Sequence, residues 1–564
     1  MTYTEKKERD KKKYYYRVKS VRKGERVEKE RVYLGANLKK EELKEKEKLA
    51  DEKLLNPEVK VGRKTAEKPK MEKKNDENKD GKKKAAIFNI DKKENFSEWF
   101  TEIVKTAELG DLRYNVKGFL VFQPWSVLAM EKMYRFMEKR LQEKGHNPYF
   151  FPTLIPEKNF KLEGEHIKGF TPEVFWVTKG GDTEFEEKLA LRPTSETAFY
   201  QMFALWIRSY KDLPFKTYQR ANVFRYETKA TRPFLRSREF HWIESHTANE
   251  TLEQAEKQVK EDMETTTEVL HDIFGLPFIF FERPAWDKFP GAFRTFAADV
   301  LNPDGKVVQQ PSTHLLNQDF AKAFNVNFED KDGKQKPVFL TCYGPAISRI
   351  FASVVIVHGD NKGLRFPWKI APKQVVIVPI TPEKELIEKA EELRERLQKA
   401  GVDALVDKNE TLRTGEKFYF WEMKGVPLRI ELGKREIENK ELTIYRRDTG
   451  EKIKIKEKDL EKEIEKLAQS YDKNLMSKAD SIFENRIQDV NTKEELRTAL
   501  EAGKIARCSF CSADKSGESC AEHIEKEIGG KVRGTKLEKE KPISKNCIVC
   551  GKPSKETVYV AREY

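Results

Sequence analysis

The run Arg220–Ala248, RANVFRYETKATRPFLRSREFHWIESHTA, constrains this chain more than any other segment. Apolar residues flank an arginine-rich centre, so the run reads as a strand, a loop and a returning strand. Side chains alternate along a strand, which places Arg225 and Glu227 on one face, with Phe240 and Trp242 on the same face of the partner. Such a face suits a nucleotide. Arg225 can grip a phosphate or carboxylate through its planar fork, Glu227 can accept from an exocyclic amine, and Phe240 offers a stacking plane. The loop arginines Arg232, Arg236 and Arg238 are placed to clamp outer phosphates. The same residues also suit an ion-paired surface hairpin, so the segment alone leaves both readings open.

A chain of 564 residues has room for three or four domains, each with its own core. It holds no run of 18 apolar residues and begins with a charged segment, which predicts a cytoplasmic protein with no membrane partner. Five of its six cysteines fall in the last 57 residues, a clustering that points to metal in a reducing compartment rather than to disulfides. The net charge of +14 is uneven. Residues 1–84 hold 30 Lys+Arg against 18 Asp+Glu, and the other 480 hold 79 against 77. The basic character therefore belongs to an appendage, of the kind that meets nucleic acid through counterion release. A solvated tail has the same composition.

Within that appendage, Tyr14–Val21 and Glu25–Leu34 flank Arg22-Lys23-Gly24 and read as a β-hairpin, with a charged helix at 39–55 and a disordered linker at 56–84. From 86 to 370, helical and strand patterns mix without βαβ alternation, which predicts an antiparallel sheet with helices. Residues 371–470 read as βαβαβ: a buried strand at Gln374–Pro379, a helix at Glu383–Ala400, a strand at Val402–Val406, a helix at Phe418–Met423 and a strand at Pro427–Leu432. The tail from 471 carries the cysteines.

The hairpin's wording, Arg-Pro-Phe-Leu-Arg (232–236), Glu239-Phe240 and Glu244-x-His246-Thr247-Ala248, resembles motif 2 of the class II aminoacyl-tRNA synthetases, and most of all the prolyl-tRNA synthetases. Other motifs follow in the family's order. The helix from Val127 to Lys144, running into Asn147–Pro152, looks like motif 1 and implies a homodimer. Leu191-Arg-Pro-Thr-Ser-Glu196 resembles the Thr-x-Glu loop, and Thr341–Arg349 before an apolar helix resembles motif 3. The span from His246 to Phe339 leaves no room for an inserted editing domain, as in the archaeal and eukaryotic type.

The resemblance implies an α+β class II catalytic domain with an antiparallel sheet at 86–370, an α/β anticodon-binding domain at 371–470, a small α/β zinc-binding domain at 471–564, and residues 1–85 as an extension outside the family. It implies ATP-dependent activation of L-proline and its transfer to tRNA(Pro). ATP falls to Arg225, Glu227, Arg236, Phe240, Gln309 and Arg349, and Mg²⁺ to Asp299, which stands where the family has a glutamate. Proline falls to Thr194, Glu196, Arg225, Trp242, Glu244 and His246, with Ser312 and His314 in a closing loop. Pro311 and Asn317 replace that loop's glycines and put its backbone in question. Phe418, Glu422, Arg429 and Arg435 match anticodon-reading positions. For structural Zn²⁺, the family pattern favours Cys511, Cys520, Cys547 and Cys550, whereas spacing alone pairs Cys508 with Cys511. Two rival readings remain: a class II synthetase for threonine, glycine or histidine, and a non-catalytic paralogue that only binds tRNA.

Overall fold

The computed structural model describes residues 2–9, 12–23, 26–36, 38, 40–55, 88, 90–162, 174–227 and 230–564. The chain forms two compact units, Met1–Lys84 and Ala85–Tyr564. The linker expected at 56–84 lies outside the described residues.

In the first unit, strands β1 (Thr2–Arg9), β2 (Lys12–Lys23) and β3 (Arg26–Ala36) form an antiparallel sheet in that order, followed by helix α1 (Lys40–Leu55). The expected hairpin is the β2–β3 pair. The sequence reading missed β1, whose charged TYTEKKER carries little apolar signal. Three strands and a helix remove the marginal stability of a lone hairpin.

The second unit opens with helices α2 (Phe96–Thr106), α3 (Pro124–Glu143) and α4 (Glu196–Trp206). Strands β4 (Phe215–Phe224) and β5 (Glu239–Asn249) form the hairpin, followed by α5 (Leu252–Thr266). Next come β6 (Ile279–Glu282), β7 (Arg294–Leu301), β8 (Lys306–Asn317), β9 (Phe339–Gly344) and α6 (Ile347–His358). The central sheet is antiparallel where β4, β5, β9, β8, β7 and β6 pair, as expected. On its far face α3 and α6 pack into one core with Met133, Met137, Tyr218, Ile350 and Phe351. Arg220, pointing to that side, pairs with Glu131 at 3.0 Å and lies 3.7 Å over the Tyr134 ring. The other face is left for the site.

The α/β module comprises β10 (Val375–Pro379), α7 (Lys384–Lys399), β11 (Ala404–Val406), α8 (Thr414–Met423) and β12 (Leu428–Leu432), each within three residues of its expected place except α8, which begins four residues earlier. Antiparallel strands β13 (Glu441–Arg446) and β14 (Lys452–Lys456) extend its sheet and were not foreseen. Helix α9 (Leu460–Glu484) runs through the expected boundary at 470/471. Beyond it, β15 (Ile505–Phe510), β16 (Lys531–Gly534) and β17 (Glu556–Glu563) join the catalytic sheet itself, through β17 alongside β8. The cysteine-bearing tail is therefore an extension of the central sheet.

Under β8, Asp262 on α5 is buried among Gln258 and Thr313, and burial pushes its carboxyl up to about 7. The folded state thus holds a proton that the unfolded chain has released, and stability drains as pH rises from about 4 to about 7. Asp262→Asn keeps both partners without the charge. Its melting temperature is expected to match the parent near pH 4 and to exceed it above pH 7, the gap corresponding to about 1–4 kcal/mol. Parallel melting curves across that range would refute it.

Candidate active site

Four cross-strand pairs of the β4–β5 hairpin share one face: Val223 with Phe240, Ala221 with Trp242, Gln219 with Glu244 and Thr217 with His246. Phe240, Trp242, Ala221, Val223 and Ala346 make an apolar floor. At Gly344 on β9 a Cβ would sit 3.2 Å from the Trp242 ring, so a side chain there would crowd the floor. Deeper in, Glu244 Oε1 accepts from the Ser195 N–H at 2.9 Å and lies 2.9 Å from Thr194 Oγ1 and 3.1 Å from His246 Nε2. Thr194 also contacts Glu196. Glu196 accepts from Cys342 Sγ at 3.5 Å, and Tyr200 meets His246 Nδ1 at 2.9 Å. Burial and the neighbouring Glu244 charge push the Glu196 carboxyl up. Burial opposes ionisation of Glu244 too, but the His246 and Ser195 hydrogen bonds hold it down at about 2. The pocket thus gathers two buried carboxyl groups with hydroxyl and imidazole partners, the complement of a small ammonium ligand.

Beside this pocket lies a concentration of positive charge. Arg349 on α6 donates to the carbonyls of Leu235 (3.2 Å) and Gln309 (3.1 Å). Burial first, then the charges of Arg225 and Arg236, bring its guanidinium down to about 10. Arg225 donates to Pro193 O at 3.2 Å and lies 5.3 Å over the Phe240 ring. Three guanidiniums from two segments distant in sequence, the hairpin and α6, repel one another, a strain that a polyanion among them relieves.

Several expectations need correction. Strand β4 ends at Phe224, and the Glu227 N–H donates to Arg225 O at 2.7 Å, a three-residue turn, so strand alternation does not relate those two side chains. Of the three loop arginines, only Arg236 reaches the cluster, also donating to Tyr564 O at 2.6 Å. Arg232 is held by Ser97 and the rings of Phe96 and Phe100, and Arg238 by Glu227 O and the Tyr226 ring.

Asp299 is the largest departure. It is fully buried, with both oxygens taken by Arg283 (2.7 and 3.2 Å) and Arg533 (2.7 and 3.1 Å). A carboxylate already neutralised twice has no lone pair aimed at open space, so it does not fit the expected Mg²⁺ role. Gln309 beside it accepts from Arg283 at 3.2 Å.

The expected closing loop is strand β8. Ser312 Oγ lies 3.0 Å from His314 Nε2, and His314 Nδ1 3.1 Å from Thr295. Pro311 falls where the β7–β8 register shifts and no N–H is demanded, and Asn317 takes φ 58° at the strand's end. Asparagine tolerates that left-handed conformation, which accounts for a residue other than glycine there.

In the α/β module Arg429 lies 3.9 Å over Phe418 and 4.2 Å over Tyr445, with Glu431 at 2.8 Å and Glu422 at 3.5 Å. Arg435 is exposed on the next short helix. Near the C-terminus, the sulfurs of Cys511, Cys520, Cys547 and Cys550 all lie within 4.8 Å of one another, with Cys511 and Cys520 at 3.7 Å. Cys508 is instead sealed in an apolar core with Val558 and Leu500. Spacing had favoured Cys508 with Cys511, but both lie on one run of β15 and its margin, where alternation does not turn them to a common centre.

Residues that the motifs did not reveal complete the pocket: Gln219, which donates to Ser195 Oγ at 2.9 Å, together with Tyr200 and Cys342. Gln219 sits one residue outside the Arg220–Ala248 run, at period two from Ala221. That spacing is the signal that finds it.

Comparison with known proteins agrees with this layout. Residues 175–358 match the tRNA synthetase class II core domain (G, H, P, S and T), and residues 374–467 an anticodon binding domain. Residues 493–564 match the prolyl-tRNA synthetase C-terminal domain. The Proline--tRNA ligase of Thermofilum pendens is 47% identical over 480 residues, covering 84% of this chain and 98% of the relative. The chain belongs to the prolyl-tRNA synthetases. The Thermococcus kodakarensis Proline--tRNA ligase is 43% identical over 479 residues, covering 84% of this chain and 98% of that one. A Giardia lamblia prolyl-tRNA synthetase solved in complex with prolyl-adenylate superposes with TM-score 0.82 at 35% identity, covering 85% of this chain and all of that one. As a class II prolyl-tRNA synthetase, the chain carries residues 1–174 ahead of the span matched by the core-domain model.

Proposed function

We propose that the pocket activates L-proline with ATP and passes the prolyl group to the 3′ end of tRNA(Pro), and that Arg225, Arg236 and Arg349 hold the triphosphate. The single observation that carries this is the juxtaposition of a buried anionic pocket with a three-arginine cluster. One suits the imino acid's ammonium, the other the nucleotide's phosphates. Thr194, Glu196, Glu244 and His246 bind and orient the secondary ammonium, Trp242 walls the ring, and Ser312 and His314 line the far side. Phe240 stacks on the base and Glu227 accepts from its exocyclic amine. The proline carboxylate attacks the α-phosphate and pyrophosphate departs. Here the protein's part is positioning and neutralisation of charge that develops on the phosphates. No side-chain nucleophile is needed, and no step is assigned to Mg²⁺ through Asp299. The ribose hydroxyl of tRNA then attacks the adenylate carbonyl, and the acyl–phosphate bond breaks to release AMP and prolyl-tRNA.

Pyrophosphate exchange measured with each amino acid tests this reading. Exchange with proline alone is expected, and exchange with threonine but not proline would overturn it. Aminoacylation of tRNA separates it from a tRNA-binding paralogue without catalysis.

The chain's domains follow as a catalytic domain at 86–370, an anticodon-binding domain at 371–470 in which Phe418, Glu422, Arg429 and Arg435 meet the bases, and a zinc-binding extension from 471. Structural Zn²⁺ at Cys511, Cys520, Cys547 and Cys550 is supported by four sulfurs within 4.8 Å of one another, the Cys511–Cys520 pair at 3.7 Å lying near the about 3.8 Å edge of a ZnS₄ tetrahedron. No helix among the described residues is long and apolar enough to cross a membrane, and we place the enzyme in the cytoplasm.

A homodimer is proposed through α3 and the segment after it, where Leu128 is 45% and Phe150 87% exposed. Large apolar side chains at the surface are of the kind that an interface covers. Phe150→Glu with Leu128→Glu is expected to halve the mass seen by light scattering at micromolar concentration. An unchanged mass would remove the dimer.

A further inference from the structure

We infer that the N-terminal unit, Met1–Lys84, is an RNA-binding module that grips tRNA on the sheet face opposite its helix. The register fixes the two faces. Thr4, Arg17 and Val32 lie opposite one another across the three strands, and so do Glu5, Tyr16 and Tyr33, one residue along. Directly paired residues share a face and neighbours alternate, so the two rows point opposite ways. The first row belongs to the helix. Arg17 forms a two-pronged pair with Asp51 of α1 at 2.6 and 2.8 Å, and Thr4 Oγ1 donates to Glu47 at 2.5 Å. The second row is aromatic. Tyr16 and Tyr33 have ring centroids 5.2 Å apart, Tyr33 is 54% exposed, and Tyr3, on the same face two residues before Glu5, is 41% exposed.

Charge selects the partner. These 84 residues carry 30 Lys+Arg against 18 Asp+Glu, while the remainder of the chain is nearly balanced. A polyanion with planar rings to stack is the ligand that such a surface complements, and base–aromatic stacking beside backbone contacts is tolerant of sequence. A lipid surface is the other polyanion. It calls for an apolar face to insert, whereas α1 reads KEELKEKEKLADEKLL and spends charged residues on the sheet. None of the three matched family models reaches this unit, so the added affinity is a property of this chain on top of the family's own tRNA contacts. Tethering turns a weak RNA contact into a high local concentration of tRNA near the anticodon and acceptor sites. That tRNA is the natural RNA rests on the function proposed above; that the sheet binds RNA does not.

The test uses the full-length chain with fluorescently labelled tRNA(Pro) transcript, a non-cognate tRNA and vesicles of phosphatidylglycerol. Tyr3→Ala with Tyr33→Ala removes two exposed rings without touching the helix contacts, and is expected to weaken both tRNAs by about five-fold or more. Lys11→Gln, Lys12→Gln and Lys13→Gln together are expected to flatten the dependence of binding on salt. Proline-dependent pyrophosphate exchange, which needs no tRNA, should stay as in the parent for both variants, while the KM for tRNA rises. Unchanged affinity and salt slope in both variants would overturn the inference. So would loss of vesicle binding with tRNA binding intact. Failure of exchange in the parent protein would instead strike the proposed function.

Discussion

Arg349→Ala is expected to lower kcat/KM for proline-dependent pyrophosphate exchange by about 10³-fold, equivalent to roughly 4 kcal/mol of transition-state stabilisation. Burial first, and then the charges of Arg225 and Arg236, bring the Arg349 guanidinium down to about 10, and the carbonyls of Leu235 and Gln309 aim it. Such an arrangement is costly with no anion and favourable with one, and more favourable still as negative charge moves onto the leaving pyrophosphate. Arg349→Lys should recover only part of the loss, because an ammonium cannot span two carbonyls and a phosphate with a planar fork. The KM for proline should change far less than kcat, since the acceptor ring around Glu244 is built from other elements. A variant with ordinary exchange rates and the parent's melting temperature would show that this guanidinium is structural.

Cys520→Ser is expected to abolish zinc binding and to take activity with it, whereas Cys508→Ser should keep one equivalent of zinc and most activity. Four sulfurs within 4.8 Å of one another leave no role for Cys508, which lies among Val558, Leu500 and Ile524. The loss of activity follows from the sheet. Strand β17 runs beside β8, and Arg533 on β16 reaches Asp299 on β7, so unfolding around the metal frees the edge and the buried ion pair that back the ATP-facing strands. Removing a structural zinc costs on the order of several kcal/mol in a small module. Metal analysis beside exchange assays checks both halves, and zinc retained in Cys520→Ser would disprove the assignment.

Much of this was legible in the sequence where a local rule governs the outcome. The period-two run Phe240, Trp242, Glu244 and His246 lands on one strand face because alternation is a property of the backbone alone. The βαβαβ order of the anticodon module follows from composition and period in the same way. What escaped was set by partners far along the chain. Nothing near Asp299 says that Arg533, 234 residues later, will claim it, and a carboxylate at a family metal position reads as a ligand until the arginines are seen. Strand β1 was missed because it is stabilised by pairing with β2 and by Thr4 on α1 rather than by apolar residues of its own. Arg232 and Arg238 read as phosphate clamps because a loop sequence does not reveal which aromatic rings and carbonyls will surround it.

The boundary near residue 370 is crossed by buried charge. Asp360, just past the helix that carries Arg349, takes Arg447 of the α/β module at 2.5 and 3.0 Å, and Arg447 also donates to the Glu422 carbonyl at 3.0 Å. Lys424 reaches back to Ala107 O at 2.9 Å. Severing the chain there would leave the buried Arg447 guanidinium without its carboxylate, while Asp360 keeps Arg365 at 2.6 Å on its own piece. The two modules are therefore poor candidates for separate expression, and swapping in a foreign anticodon module calls for the Arg447 partner to travel with it.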